Sequence, residues 1–141
     1  MRYLVDTCTF LFLANDPDLL GPDIQSIFED YDNEFCISIE SIKEQIIAYR
    51  CKGVSFKSCK SISDIIHTIK NVYYFTILPL KEEQMQTYAN LSINTAEDHR
   101  DPSDHIIIAH AICNRMPLIS CDRKFQFYTK QGLNLISYRR K

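Results

Sequence analysis

Four acidic residues of this sequence stand where predicted strands end or where the helices after them begin: Asp6, Glu44, Asp104 and Asp122. The carboxyl ends of parallel strands meet at one edge of a sheet, so these carboxylates are expected to share a cleft. Crowded carboxylates repel one another and raise some of their pKa values, and a divalent cation relieves that repulsion. Oxygen ligands favour hard ions, so the pattern predicts Mg²⁺ or Mn²⁺, which can activate water and neutralise charge on a phosphate.

Helix capping explains each of these acids when it is taken alone. Asp6 and Asp122 suit helix N-caps, and Ser41–Glu44 ("SIKE") fits a capping box. In "DPSD", Asp101 suits the N-cap, with Pro next and Asp104 in the first turn, where the helix dipole favours an acid by roughly 0.3–1 kcal/mol. Capping does not require four acids to converge on one edge, so both explanations stay open for each residue.

Short apolar runs alternate along the chain with longer amphipathic segments. The predicted strands are Tyr3–Val5, Phe35–Ile39, Tyr73–Leu78, Pro117–Ser120 and Asn134–Ser137. The predicted helices are Thr9–Asn15, Asp23–Tyr31, Ser41–Gly53, Ser55–Lys70, Lys81–Leu91, Asp101–Arg115 and Arg123–Gly132. This alternation predicts an α/β fold of three layers, α/β/α, around a five-stranded parallel sheet, and the length predicts a single domain, 1–141.

Composition excludes several classes of protein. With 16 basic and 18 acidic residues, no overall basic bias indicates nucleic acid, although a local basic patch would suffice. The six cysteines form no C-x-x-C pair, and Asp6 interrupts the apolar N-terminal run too early for an export signal. No stretch reaches the roughly 20 apolar residues of a membrane span. We therefore expect a cytoplasmic protein, with no membrane association, whose reduced thiols are mostly small core residues.

Catalytic and cofactor motifs of other classes are missing from the sequence. It has no G-x-G-x-x-G or Walker loop, and no Ser/His/Asp or Cys/His arrangement competes with the acids. A phosphoacceptor receiver domain also places Asp at a strand end, but it usually needs an acidic pair after the first strand and a late Lys. Only Asp6 stands at that strand end here, so this alternative is the weaker one.

Four sequence blocks carry the acids in order: "YLVDTCTFLF", "ISIESIKEQ", "HRDPSDHIIIAHA" and "PLISCDRKF". Together they resemble the PIN-domain ribonucleases, and among these the VapC-type toxins. The third block is similar to the signature H-R-D-P-F-D-R-hydrophobic-I-A-Q-A of one VapC-like subgroup. The resemblance extends over nearly the whole chain, and four blocks in the right order and spacing make it specific.

The resemblance implies a metal-dependent endoribonuclease that leaves a 3′-hydroxyl and a 5′-phosphate. Its metal-binding and catalytic acids would be Asp6, Glu44, Asp104 and Asp122, with Glu44 either binding Mg²⁺ or Mn²⁺ or orienting the water. Asp101, Thr7 and Ser120 would be auxiliary residues. The competing hypothesis is a non-catalytic PIN-like module that binds RNA or protein, which a metal titration without binding would support.

Binding partners follow from both charge and resemblance. Contact with RNA phosphates needs basic residues, and the candidates are Arg100, Arg123, Lys124 and Lys43, with the terminal run Tyr138–Lys141. The resemblance also implies a small antitoxin that covers the site and a homodimer. The apolar segments Ile24–Tyr31 and Ile62–Ile69 suit either an interface or the core.

Two residues depart from the subgroup signature. Ser103 stands where the signature has Phe, which predicts looser packing at the helix start. His105 stands where it has Arg, which predicts a weaker or pH-dependent basic contact. His99 and His105 are candidate phosphate contacts, with surface or packing roles as the alternative. The aromatic run Tyr73–Phe75 is predicted to lie in the core.

Overall fold

The strands pair in parallel, as the computed structural model of residues 1–140 describes them. Within this range five strands form one sheet in the order β3-β2-β1-β4-β5. They are β1 (Arg2–Val5), β2 (Glu34–Ser38), β3 (Thr76–Leu78), β4 (Leu118–Ser120) and β5 (Leu135–Ser137). Strand β1 lies at the centre, between β2 and β4, so that Val5 pairs with Ile119.

Helices cover both faces of this sheet. They are α1 (Thr7–Asn15), α2 (Gly21–Glu29), α3 (Ile39–Lys52), α4 (Ile65–Asn71), α5 (Glu82–Ala89) and α6 (Pro102–Asn114). Short 3₁₀ helices span Pro17–Leu20, Ile62–Asp64 and Arg123–Gln131. The predicted three-layer α/β/α fold with a parallel sheet is confirmed. No helix within the described range is long and apolar enough to cross a membrane.

Alternate residues of β1 supply the two halves of the core. Tyr3 and Val5 face one apolar cluster, which contains Phe10 of α1, and Leu4 faces the other, which contains Ile107 of α6. This alternation follows from the period of two along a strand. Both faces of the central strand are therefore buried, as expected for a parallel sheet covered by helices.

The helix predicted over residues 55–70 is wrong for its first half. An irregular segment precedes Ile62, and Phe56 in it packs edge-on against Phe10 in the core, with ring centroids 5.1 Å apart. Backbone carbonyls of the segment accept hydrogen bonds from tyrosines: Tyr73 Oη donates to Lys57 O at 2.8 Å. These long-range contacts replace the hydrogen bonds that a helix would have made.

The strand predicted at Tyr73–Leu78 is also shorter in the structure, where β3 begins at Thr76. Tyr74 has a φ of 60° and is 81% exposed, so its predicted place in the core is wrong. Its neighbours do pack inward, with Phe75 buried and Tyr73 against the same cluster. The positive φ turns the chain between them.

The capping box predicted at Ser41–Glu44 is wrong, because α3 begins two residues earlier. Ser38 caps the helix by accepting from the Glu40 N–H at 3.1 Å. Glu44 therefore lies in the second turn, and the helix ends as predicted at Gly53, whose φ of 65° is left-handed. The thiol prediction is also wrong for most positions, since Cys36 is buried while the other cysteines are partly or fully exposed.

Candidate metal centre at the carboxyl edge of the sheet

A cleft of about 410 Å³ opens at the carboxyl edge of the sheet, where β1 and β4 end side by side. Its lining consists of Asp6, Thr7, Cys8, Leu11, Glu44, Asp101, Asp104, Cys121, Asp122 and Phe125. The structure therefore brings all four acids of the predicted quartet, with Asp101, to one cleft. They arrive from four chain segments: the turns after β1 and β4, helix α3 and the start of α6.

Asp6 is the most deeply placed of these acids, with 5% of its surface exposed. It caps α1 by accepting from the Thr9 N–H at 2.9 Å on Oδ1, and it accepts from the Ser120 hydroxyl at 2.6 Å on Oδ2. Burial raises the pKa of this carboxyl, while the hydrogen bonds from Ser120 and Thr9 oppose the rise. Capping thus fixes the side chain and leaves the carboxylate at the cleft.

Ser120 connects Asp6 to Asp122 across the ends of the paired strands. The Ser120 hydroxyl donates to Asp6 and its oxygen accepts from the Asp122 N–H at 3.1 Å. Asp122 Oδ1 in turn accepts from the Lys124 N–H at 2.9 Å and so caps the 3₁₀ helix. One buried hydroxyl therefore sets the spacing of two acids that come from different strands.

Glu44 is held by a residue of α1. Thr7 Oγ1 donates to Glu44 Oε1 at 2.6 Å and lies 2.9 Å from Ser41 Oγ. Burial raises the pKa of Glu44, the Thr7 hydrogen bond lowers it, and the nearby Asp101 and Glu40 raise it further. The hydroxyl and the carboxylate therefore link α1 to α3 beside the cleft.

Asp104 lies in the first turn of α6, behind the cap that Asp101 makes to the Ser103 N–H at 3.0 Å. Burial raises the pKa of Asp104 to about 8, and the charges of Asp101, Glu44, Asp6 and Asp122 contribute to the rise. Loss of solvation is the main reason that the ionised form of Asp104 is disfavoured, and the neighbouring negative charges add to it. The cap and the crowded acid are parts of one helix start.

His99 lies at this edge of the cleft, whereas the sequence predicted either a phosphate contact or a surface or packing role for it. Its side chain is 3% exposed, and its Nε2 lies 3.1 Å from Asp104 Oδ2. Ligand atoms of His99, Asp104 and Asp122 all lie within 4.8 Å of one another. His105 is buried as well, and its Nε2 donates to the His99 carbonyl oxygen at 2.9 Å. Neither histidine is a surface residue, and the position of His99 just before "RDPSD" is the only signal that could have indicated its role.

The PIN domain family model matches residues 3–130. The chain belongs to the PIN domain family. Among solved structures, it is similar to VapBC2 from Rickettsia felis bound to a promoter DNA fragment, with 17% identity, complete coverage of both chains and a TM-score of 0.66. VapBC-1 from nontypeable Haemophilus influenzae shows 18% identity over 97% of this chain and 98% of that one, with a TM-score of 0.65.

A third similar structure is VapBC-5 from Mycobacterium tuberculosis, a member of the VapBC family of toxin–antitoxin systems. It has 18% identity over 98% of both chains and a TM-score of 0.58. At these identities the likenesses show a shared fold. No match was found among curated proteins.

The donor set of this PIN domain fits a hard divalent cation. The cleft acids offer carboxylate oxygens, and a positive charge among them would favour the ionised form of Asp104, which burial and the neighbouring acids disfavour. Two thiols, Cys8 and Cys121, line the same cleft, but burial raises the pKa of both, that of Cys8 to about 11. Both are therefore neutral thiols near neutral pH, which leaves oxygen as the main donor.

The predicted RNA-contacting residues of the PIN domain divide into two pairs. Arg100 is exposed and paired with Asp98. Lys43 is paired with Glu40, and the hydrogen bond to that carboxylate, together with its charge, raises the pKa of the lysine. Neither basic residue lines the acidic cleft.

The second pair lies beyond β4. Arg123 lines a groove of about 430 Å³ together with Arg139, and Cys121 lines both this groove and the acidic cleft. Lys124 is partly buried, and its backbone N–H donates to the capping carboxylate of Asp122. Lys141, from the terminal run, lies outside the described residues.

Ser103 makes a contact that the expectation of loose packing did not foresee. Its hydroxyl donates to Glu40 Oε1 at 3.0 Å, and Glu40 is a buried acid that sequence reasoning did not single out. This hydrogen bond joins the first turns of α3 and α6 of the PIN domain. The helices that carry Glu44 and Asp104 are therefore tied together beside the cleft.

Proposed function

We propose that this protein is a metal-dependent endoribonuclease of the VapC type that cleaves RNA phosphodiester bonds with Mg²⁺ or Mn²⁺. PIN domains are generally metal-dependent nucleases. The observation that carries the proposal is the convergence of carboxylates from four chain segments on one cleft, where burial and crowding raise the pKa of Asp104 to about 8.

Each acid has a proposed role that its contacts support. Asp6, Asp104 and Asp122 would hold the metal, and Glu44 would either bind it or orient the water. A bound Mg²⁺ or Mn²⁺ supplies Lewis acidity to water and neutralises charge on the phosphate. The auxiliary residues keep the acids in place: Ser120 holds Asp6 and Asp122, Thr7 holds Glu44, and the cap at Asp101 orients the helix that carries Asp104.

The RNA backbone would lie along the groove beyond β4. Arg123 and Arg139 line that groove, which meets the acidic cleft at Cys121. The positively charged side chains therefore lie beside the acidic cleft and not within it. Phosphate contacts dominate RNA affinity, and Lys124, two residues beyond Asp122, is a candidate for a further one. Arg100 and Lys43 would contribute less, because each is already paired with an acid.

We further propose that the protein is the toxin of a toxin–antitoxin pair, that it is cytoplasmic, and that residues 1–141 form a single domain. The VapBC structures that it resembles support an antitoxin partner. Another groove, distinct from the one beyond β4, lies beside Glu44 and is lined by Ile47, Ala48 and Cys51. The side chain of Ile47 is exposed there. An apolar segment of the antitoxin lying there would bring a basic side chain to the acidic cleft.

A homodimer is the proposed assembly. Of the two apolar segments considered for an interface, Ile24, Ile65 and Ile69 lie in the core, whereas Tyr31 and Ile66 are exposed. The exposed residues are the ones available to a second copy of the chain. Sedimentation of the purified protein measures this state directly.

The experiment that tests the nuclease proposal compares the purified protein with its Asp6→Asn variant on a defined RNA pool. Asn retains the helix cap but replaces Oδ2, the acceptor of the Ser120 hydroxyl, with an amide group, so the variant removes the charge and this hydrogen bond together. We expect cleavage with Mn²⁺, none with a chelator, and a loss of about 100-fold or more in the variant. Sequencing of the RNA ends would then identify the substrate.

Equal, metal-independent cleavage by both proteins would refute the proposal. If the wild-type protein neither binds Mn²⁺ nor cuts any RNA, the non-catalytic binding module is the correct alternative.

A further inference from the structure

A series of buried hydrogen bonds connects the segment before α6 to Asp104. The Asn94 N–H donates to Tyr128 Oη at 3.0 Å, Tyr128 Oη lies 2.9 Å from His99 Nδ1, and His99 Nε2 lies 3.1 Å from Asp104 Oδ2. Asn94, Tyr128 and His99 are each at most 3% exposed. None of the roles proposed above for the nuclease involves these three residues.

The hydrogen-bond partners of these residues determine which atom carries each proton. The Tyr128 oxygen accepts from a backbone N–H, so its own hydrogen is available to His99 Nδ1. Because Nδ1 accepts, Nε2 carries the hydrogen of the neutral imidazole. Nε2 therefore donates a hydrogen bond to the Asp104 carboxylate. The ring is thus a donor aimed at one oxygen of the acid.

The imidazole is held from several sides and has little freedom to turn. The backbone N–H of His99 donates to Asn94 O at 3.0 Å, and its carbonyl oxygen accepts from His105 Nε2 at 2.9 Å. The His105 ring packs edge-on at 4.6 Å between centroids, and Phe125 lies on another side at 5.6 Å. A donor that is locked in this way can in turn fix the group that it touches.

We infer that His99 is a positioning residue that holds the Asp104 carboxylate in place to bind a divalent cation between Asp104 and Asp122. The inference rests on the metal site of the proposed function. A hydrogen bond to one carboxylate oxygen leaves the other free and sets the plane of the group, which is the role that outer partners of metal ligands have in general. Tyr128 fixes the tautomer that makes this possible.

The test is calorimetric titration of Mn²⁺ into the full-length protein and three variants. His99→Leu removes the donor and is expected to weaken Mn²⁺ binding by about 10–100-fold, as loss of an outer partner does. His99→Gln restores an N–H close to the position of Nε2 and is expected to recover most of the affinity. Tyr128→Phe removes only the hydroxyl, so it tests the network even if the leucine variant fails to fold.

The matched control is His110→Gln, which alters a buried histidine on α6 that contacts Ser38 rather than an acid. Its Mn²⁺ affinity is expected to stay within about twofold of wild type, although its stability changes. On an RNA substrate, His99→Leu is expected to lower kcat at saturating RNA while KM for RNA stays nearly constant. Excess Mn²⁺ is expected to restore part of this kcat, whereas a loss of folded protein would lower kcat at every Mn²⁺ concentration.

Three outcomes would overturn the inference. His99→Leu and Tyr128→Phe that bind Mn²⁺ as wild type does would remove the positioning role and leave the metal site intact. Nitrogen hyperfine coupling from His99 in the Mn²⁺ spectrum would make His99 a direct ligand instead. A wild-type protein that binds no Mn²⁺ would overturn the metal site itself, and with it both proposals.

Discussion

The carboxyl edge of the sheet and the layer beneath helix α6 each enclose a buried histidine, and the two differ in what their nitrogens touch. At the edge, His99 has Tyr128 on one nitrogen and Asp104 on the other. In the layer, His110 Nδ1 lies 3.0 Å from Ser38 Oγ. Its Nε2 is the one buried side-chain nitrogen or oxygen without a hydrogen-bond partner among residues 1–140.

Burial does not distinguish these two histidines. It lowers the pKa of His110 to about 4, and it is the largest cause of the lowered pKa of His99, to which His105 adds. A depressed pKa therefore marks desolvation at both positions. The hydrogen-bond partners alone identify His99 as part of a site and His110 as a packing residue.

The largest effect is expected at Asp104, on the edge. Asp104→Asn removes the charge of a proposed metal ligand and should reduce Mn²⁺ binding and cleavage by more than the roughly 10–100-fold cost of losing an outer partner. The metal-free protein should at the same time become more stable at high pH. The folded-state pKa of about 8 lies above the ordinary 3.8, so the wild type loses stability as pH rises between these values, and Asn does not.

Thermal unfolding at pH 8.5 in the presence of a chelator measures the effect of Asp104→Asn on stability. The Mn²⁺ titration measures its effect on metal binding. The matched control is Asp23→Asn, which removes an exposed carboxylate from the first turn of α2, outside the cleft. An Asp104→Asn protein that is less stable than wild type at pH 8.5 would contradict the assigned crowding.

The next effect belongs to the interior layer and concerns stability. The folded-state pKa of His110 lies below the ordinary 6.5, so the unfolded state takes up the proton first as pH falls. The contribution of neutral His110 to stability is therefore fully present above pH 6.5. It is lost progressively as the pH falls towards 4, and the free energy of unfolding decreases by about 3 kcal/mol in all.

Urea unfolding of wild type and His110→Gln at matched pH values isolates this contribution, because the other titrating groups are common to both. The difference between the two proteins should change by that amount between pH 7 and pH 4. A constant difference would show that His110 does not titrate in this range.

A smaller effect is expected at Ser120, which spaces Asp6 and Asp122 on the edge. Ser120→Ala deletes the donor to Asp6 and the acceptor of the Asp122 N–H, and should lower cleavage by about 10-fold. Ser120→Thr keeps the hydroxyl and should stay close to wild type. Steady-state rates for the pair decide the point, since equal losses in both would indicate a packing effect instead.

The smallest effect is expected outside both regions, in the groove of Arg123 and Arg139. Alanine at either position should raise KM for RNA a few-fold and reduce the slope of log affinity against log salt by about 0.7 per lost phosphate contact, with kcat unchanged. Lys70→Ala, an exposed charge on α4, is the control. Unaltered salt slopes in both arginine variants would place the RNA elsewhere.

Much of this arrangement was determined by local sequence. Apolar runs that alternate with helical periodicity predicted the parallel α/β sheet, and acids at strand ends predicted which side chains would meet at its edge. Gly53 and Gly132 marked the ends of their helices, because both adopt the left-handed conformation that glycine favours. These features depend on neighbours within a few positions, so the sequence by itself contains them.

Tertiary structure alone decided the remaining features. Phe56 breaks a helical pattern because Phe10 receives it in the core, and Tyr74 turns outward where the chain bends at a positive φ. His99 becomes part of the site through Tyr128, 29 residues further along the chain. Hydrogen bonds and packing of this range depend on which surfaces the fold brings together, and no local periodicity or capping preference records them.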